Sequence, residues 1–186
     1  MTKLVVFSFF LVLFLFVGLS FQQTVISISD CATFCGSLKN VQADTIYELS
    51  NDIYCQGILT QPLPPFGGVL DGKNFAIIGL NINLASGPNT ALGLFSKITS
   101  GAVIKNLYFL DSTVQANDQV LCSAGTLAGV ADCSQSCCVV SNVHVGTSLK
   151  STFNTVQNYG QSVGGLIGVG LFKEENYFIY FDTFDT

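Results

Sequence analysis

The apolar positions of this chain recur in two short patterns rather than in one continuous period. The segments "IIGLNI" (77–82), "IKNLYF" (104–109) and "VSNVHV" (140–145) each place apolar residues at i, i+3 and i+5. Ile77, Ile104 and Val140 take the first position, Leu80, Leu107 and Val143 the second, and Ile82, Phe109 and Val145 the third. No helix face has that spacing. A strand has it if the chain turns a corner after the first apolar residue, because the corner resets the alternation of inward and outward side chains. Gly79, Asn106 and Asn142 stand at that corner, and Gly and Asn are the residues that tolerate left-handed backbone.

A second pattern interleaves with the first. "LGLFS" (92–96), "GTLAG" (125–129) and "GGLIG" (164–168) align on Leu94, Leu127 and Leu166, with glycines suited to tight turns on either side. Constant strands at a variable period predict a stack whose loops, of unequal length, leave one edge. The stretch "GLFSKITSGAVIKNLYF" (93–109) is then not a hairpin. It is predicted as a strand, a Ser-Gly turn and a second strand that bends at Asn106. Ile104, Leu107 and Phe109 should point inward, and Lys105 and Tyr108 outward.

Upstream, "TIYELSNDIYC" (45–55) alternates as a strand does, and Pro-Pro, Gly-Gly and Asp-Gly pairs punctuate the segment that follows. "SDCATFCGSLKNV" (29–41) predicts a short helix with Ser29 or Asp30 as N-cap and Gly36 near its end. The pattern therefore divides the chain into a cap segment (21–43), a repeat region (44–170) and an atypical aromatic tail (171–186). The tail is expected either to fold over the end of the stack or to mark a truncated array.

Residues 1–20 change the picture. Lys3 is followed by an apolar run from Leu4 to Leu19, broken only by Ser8 and Gly18. A positive start, an apolar middle and small residues at Gly18 and Ser20 predict a secretory signal cut after Ser20; the competing expectation is an uncut membrane anchor. Both put the remaining chain outside the cytoplasm.

Seven cysteines, Cys31, Cys35, Cys55, Cys122, Cys133, Cys137 and Cys138, all follow that leader. Density and compartment predict disulfides. The C-x3-C and C-x3-C-C spacings and a single histidine do not suit zinc. An odd count leaves one thiol over or joins two chains in a disulfide-linked dimer. The pairing itself stays open.

A net charge of −5, 10% charged residues and no basic patch exclude nucleic acid as an expected partner. No N-x-[ST] sequon is present, and every basic residue is lysine.

Four segments, "YELSNDIYCQG", "FGGVLDGKNFAIIGLNI", "GLFSKITSGAVIKNLYF" and "VGGLIG", resemble the GLUG-motif repeat proteins. These are a pectate-lyase-like, right-handed parallel β-helix group of microbial surfaces. Asp52-Ile53, Phe66-Gly67, Asp71-Gly72 and Gly164 to Gly168 stand at the family's motif positions. The resemblance covers about residues 44–170. It implies an all-β solenoid, here of about four or five coils, and secreted or cell-surface proteins with adhesive roles. It does not imply an enzyme. The Cys-rich insert "ADCSQSCCVVSN" and the tail depart from the family pattern.

The lyase-like fold invites a test for sugar-cleaving chemistry. A lyase of that kind needs a calcium-binding carboxylate cluster and a base, and a hydrolase needs paired carboxylates facing one cleft. Lys73, Lys97 and Lys105 are the available bases, and the acids are scattered along the chain. Asp71 and Asp52 are expected to bond backbone at turns. His144, between Val143 and Val145, is expected to face solvent without a nucleophile or orienting acid. No catalytic residue, metal or cofactor is therefore assigned. The expectation is a non-enzymatic module for structure or adhesion, with surface glycans or other proteins as partners. The alternatives are a carbohydrate-active β-helix enzyme and a degenerate fragment. Three carboxylates converging in one groove would favour the enzyme.

Overall fold

The computed structural model describes residues 23–42, 44–84, 90–116, 122–151, 162–163 and 166–172. The leader (1–20) and all of the tail beyond Phe172 lie outside the described residues. The chain begins with β1 (Thr24–Ile28), α1 (Cys31–Ser37), β2 (Thr45–Leu49), β3 (Ile53–Tyr54) and β4 (Ile58–Leu59). There follow β5 (Val69–Ile78), β6 (Asn81–Leu84), β7 (Thr90–Leu92), β8 (Ile98–Thr99) and β9 (Val103–Ala116). The last elements are β10 (Cys122–Ala124), β11 (Ala128–Cys133), β12 (Val139–Ser151), β13 (Ser162–Val163) and β14 (Ile167–Phe172).

Among the described residues every strand pair is parallel, in one eight-stranded and two three-stranded sheets. Val69 pairs with Val103 and Val103 with Val139, steps of 34 and 36 residues. Strands therefore stand in columns. The first holds β1, β2 and the openings of β5, β9 and β12. The second holds β3 and the stretches 75–78, 107–110 and 143–146. The third holds β4, β6 and the ends of β9 and β12. β7, β10 and β13 make another column, and β8, β11 and β14 another. Parallel strands need long crossovers, and here each crossover is itself made of the strands of the other columns. The parallel sheets are consistent with a β-helix.

Inward positions stack the same kind of residue tier upon tier. Leu70, Ile104 and Val140 share one level, Ile77 and Phe109 another, and all are buried. Phe66 and Phe95 stack with ring centroids 4.7 Å apart. Of the repeat residues, Leu80, Ile82, Leu94, Leu107, Leu127, Val143 and Leu166 are also buried, while Val145 is only partly so.

The register corrects the sequence alignment in one place. The partner of Ile104 is Leu70, not Ile77, and the partner of Phe109 is Ile77. The pairing skips residues between Asp71 and Phe75, where Lys73 and Asn74 both have positive φ. Gly79, with φ +70, belongs to the next corner, opposite the Leu110–Asp111 turn. The i, i+3, i+5 spacing occurs at both corners, so the sequence match fell one corner late.

The N-terminal segment contributes more than a helix. β1 extends the first column beyond β2, and α1 is capped by Asp30, which accepts from the Thr33 N–H at 2.8 Å and the Thr33 hydroxyl at 2.7 Å. Phe34 and Leu38 are fully buried. Cys31 bonds to Cys55 and so ties α1 to the end of β3. A second bridge joins Cys133 to Cys138. Cys35, a disulfide candidate by sequence, is a thiol, and burial pushes its pKa up against the pull of Lys39. One turn along α1 from a bridged cysteine, it packs against the core instead.

Candidate functional site

One group of polar side chains gathers at the corner between the first and second columns. Asn106 and Asn142 bend the backbone there with φ of 53° and 51°, and Asn74 stands beside them with φ of 64°. Asn142 Nδ2 donates to Asn106 Oδ1 at 2.9 Å and to Asn74 Oδ1 at 3.1 Å. Asn106 Nδ2 donates to Asp71 Oδ1 at 3.1 Å. The amides thus form a ladder linking three tiers.

Ions extend that ladder. The register puts Glu48, Asp71 and Lys105 on adjacent strands at one outward level. Lys105 Nζ lies 3.3 Å from Asp71 Oδ2, and Lys73 Nζ lies 2.9 Å from Glu48 Oε1. The Asp71 side chain is 8% exposed. Burial pushes its pKa up, but hydrogen bonds from the Lys73 N–H, Asn106 and Lys105, with the Lys105 charge, outweigh this and hold it below the ordinary value. The hydrogen bond to Glu48 raises the Lys73 pKa. Gly72 is required here by crowding: a Cβ would collide with the Asn106 carbonyl.

Asp71 does bond backbone within its own turn, at 2.9 Å to the Lys73 N–H. Asp52 does not. Its Oδ1 accepts from the Ala76 N–H at 2.8 Å, in the next tier. His144 pairs in register with Tyr108 and Ala76, rather than with Asn81, which pairs with Thr113. The His144 ring stacks on Tyr108 with centroids 4.6 Å apart, and its Nε2 lies 2.8 Å from Asn142 Oδ1.

A smaller cluster lies near the second disulfide. Lys97 Nζ donates to Asp132 Oδ2 at 2.7 Å, and the Ser134 hydroxyl donates to Oδ1 at 2.7 Å. Lys97 and then Ser134 lower the Asp132 pKa to about 2. Among the described residues no three His, Cys, Asp or Glu side chains are grouped to hold a metal ion. The carboxylates of Asp52, Asp71 and Asp132 are each engaged at separate points of the fold.

Of the seven cysteines, Cys31, Cys55, Cys133 and Cys138 are bridged, Cys137 is exposed, and Cys122 opens β10. The ion ladder was not visible as a cluster in the sequence, because Glu48, Asp71 and Lys105 come from three tiers. The only sequence signal for it is the recurrence of charged residues beside inward apolar ones at "YEL", "LDG" and "IKN".

No protein-family model matches the chain, and no solved structure matches it. The chain is similar to halomucin of Haloquadratum walsbyi, with 30% identity over 104 residues. The matched stretch is 56% of this chain and 1% of halomucin. No helix among the described residues is long and apolar enough to cross a membrane.

Proposed function

We propose that this chain is a secreted or cell-surface β-helical module that acts without catalysis, as a structural or adhesive element. Residues 44–170 form its stacked body, 21–43 cover one end, and the leader directs it out of the cytoplasm. The observation that carries the reading is the column arrangement: parallel pairs between tiers 34 and 36 residues apart. A right-handed coil is the favoured hand for parallel crossovers of this kind. The similarity to halomucin supports a cell-surface or extracellular protein, and two disulfides support an oxidising compartment. The outward side chains at the corner serve to hold tiers in register, so the face beside them is what the module presents.

The test is surface labelling. Intact cells that make the protein are treated with a membrane-impermeant amine reagent, which the half-exposed Lys73, Lys97 and Lys105 can take up. Labelling without lysis is expected. Labelling that appears only after lysis would overturn the reading.

A further inference from the structure

Three cysteines stand within six residues at the turn that carries the chain from β11 into β12. Cys133 closes β11 and is buried, Cys138 is half-buried against the core, and the two form the second bridge. Cys137 is a thiol on the exposed side of the same turn. From Ala131 to Val139 the chain advances eight residues, where the tier before, from Ile98 to Val103, advances five. The longer turn includes the exposed Ser134, Gln135 and Ser136, so it can shift without uncovering the core.

Distance permits a second pairing. The Cα atoms of Cys133 and Cys138 are 5.6 Å apart, and consecutive Cα atoms are about 3.8 Å apart. Cys137 is therefore within about 9.4 Å of Cys133, at most about 3 Å beyond the range that a disulfide spans. Cys137 and Cys138 are adjacent and lie on opposite sides of the chain, one exposed and one packed inward. The sulfur open to attack by Cys137 is then that of Cys133.

A place for the displaced sulfur is already built. Cys138 Sγ lies 3.4 Å from the Thr99 carbonyl oxygen. That oxygen accepts from the Ala102 N–H at 3.1 Å and has a second lone pair. A bridged sulfur has no hydrogen to give it, and a released Cys138 thiol has one. Cys35 supplies the contrast. It sits four residues from the bridged Cys31, but it packs against the core and burial pushes its pKa up. That withholds the thiolate which exchange requires.

We infer that this turn is an internal thiol–disulfide exchange device: Cys137 displaces Cys138 from Cys133, and the turn's thiol moves from the outward side to the inward one. The Cys137 thiol gives its proton to water, and its sulfur bonds to Cys133 Sγ. The Cys133–Cys138 bond breaks, its electron pair leaves on Cys138 Sγ, and that sulfur takes a proton from water. One bridge and one thiol stand on each side of the step, so no oxidant or reductant is consumed. The device goes beyond the surface-module reading and does not depend on it. It sets whether the turn offers a reactive thiol to the outside.

The experiment traps the two forms in the full, unreduced chain. Native protein at neutral pH is quenched in acid, which stops exchange by protonating thiolates. It is unfolded there and treated with N-ethylmaleimide. After reduction and a second alkylation, fragmentation mass spectrometry locates each label. The expected result is maleimide on Cys137 in some molecules and on Cys138 in others, with none on Cys133. Cys137→Ser should lower the Cys138 label at least about tenfold, and Cys138→Ser should hold a Cys133–Cys137 bridge. Maleimide on Cys137 but never on Cys138 would overturn the inference. So would Cys133 and Cys138 labelled together, which reports a reduced bridge, or label at Cys31 or Cys55, which reports unspecific scrambling. A Cys138 fraction that grows with protein concentration would place the exchange between chains and overturn it too. The wild-type measurement decides the matter where a variant does not fold.

Discussion

Asn106 serves the fold twice, once through its backbone and once through its amide. Its φ of 53° turns the corner, and its side chain donates to Asp71 and accepts from Asn142. The two contributions separate by mutation. Asn106→Ala should lose about 2–3 kcal/mol, since it forfeits both the tolerated left-handed backbone and the hydrogen bonds. Asn106→Gly keeps the backbone freedom and should lose only about 1 kcal/mol. Urea unfolding of the pair measures the difference, and equal losses would contradict the corner argument. Thr126 is the opposite case. It is fully buried and its hydroxyl has no hydrogen-bond partner. Thr126→Val keeps the shape and removes the unsatisfied group, so it should stabilise by about 1 kcal/mol in the same assay. Asp71 adds a pH dependence. Its folded pKa lies below its ordinary value, 3.8, so its stabilisation is present above that value and is lost as pH falls through the folded one. Asp71→Asn should flatten that part of the acid limb in unfolding curves recorded between neutral pH and the strongly acidic range.

At the scale of elements, the bridges differ in what they restrain. Cys31–Cys55 spans 24 residues and Cys133–Cys138 spans 5. Loop-closure entropy assigns them about 3 and about 2 kcal/mol. Paired Cys→Ser replacements, compared by thermal unfolding, should rank in that order, and the first should also free α1 from the body. The elements were unequally legible in the sequence. A helix cap at Ser29 or Asp30, which the structure resolves to Asp30, and the strand character of 45–55 were plain, because capping and alternation are local signals. The turn between β8 and β9 was legible because Gly101 punctuates it, and the bend inside β9 because Asn106 does. The register of β5 was not, because its extra residues at Lys73 and Asn74 displace the pattern that a spacing match follows. β1 was missed as a strand, for its outer residues are mostly exposed and only Ile28 is fully buried. The ion ladder was hidden because its members are neighbours across tiers and strangers along the chain.

At the scale of the whole molecule, the same columns set what the fold tolerates. The connections from β6 to β7, from β9 to β10 and from β12 to β13 all leave between the same two columns. Lengthening a connection at one such place costs only about 0.6 kcal/mol per doubling. An insertion of six glycine-serine residues after Leu84 should therefore leave the unfolding midpoint nearly unchanged. The same insertion between Asp71 and Lys73 breaks the carboxylate's bond to its own turn and should unfold the protein.

The parallel pairing across 34 and 36 residues also carries a kinetic consequence. Among the described residues no strand meets its partner until a further full circuit of chain has been made, so the sheets contain almost no local reward for early order. Chains dominated by such distant contacts fold slowly, in milliseconds to seconds. A slow folder remains threadable for longer after synthesis, and on the surface-module reading proposed above that leaves time for export before the first tiers close on each other.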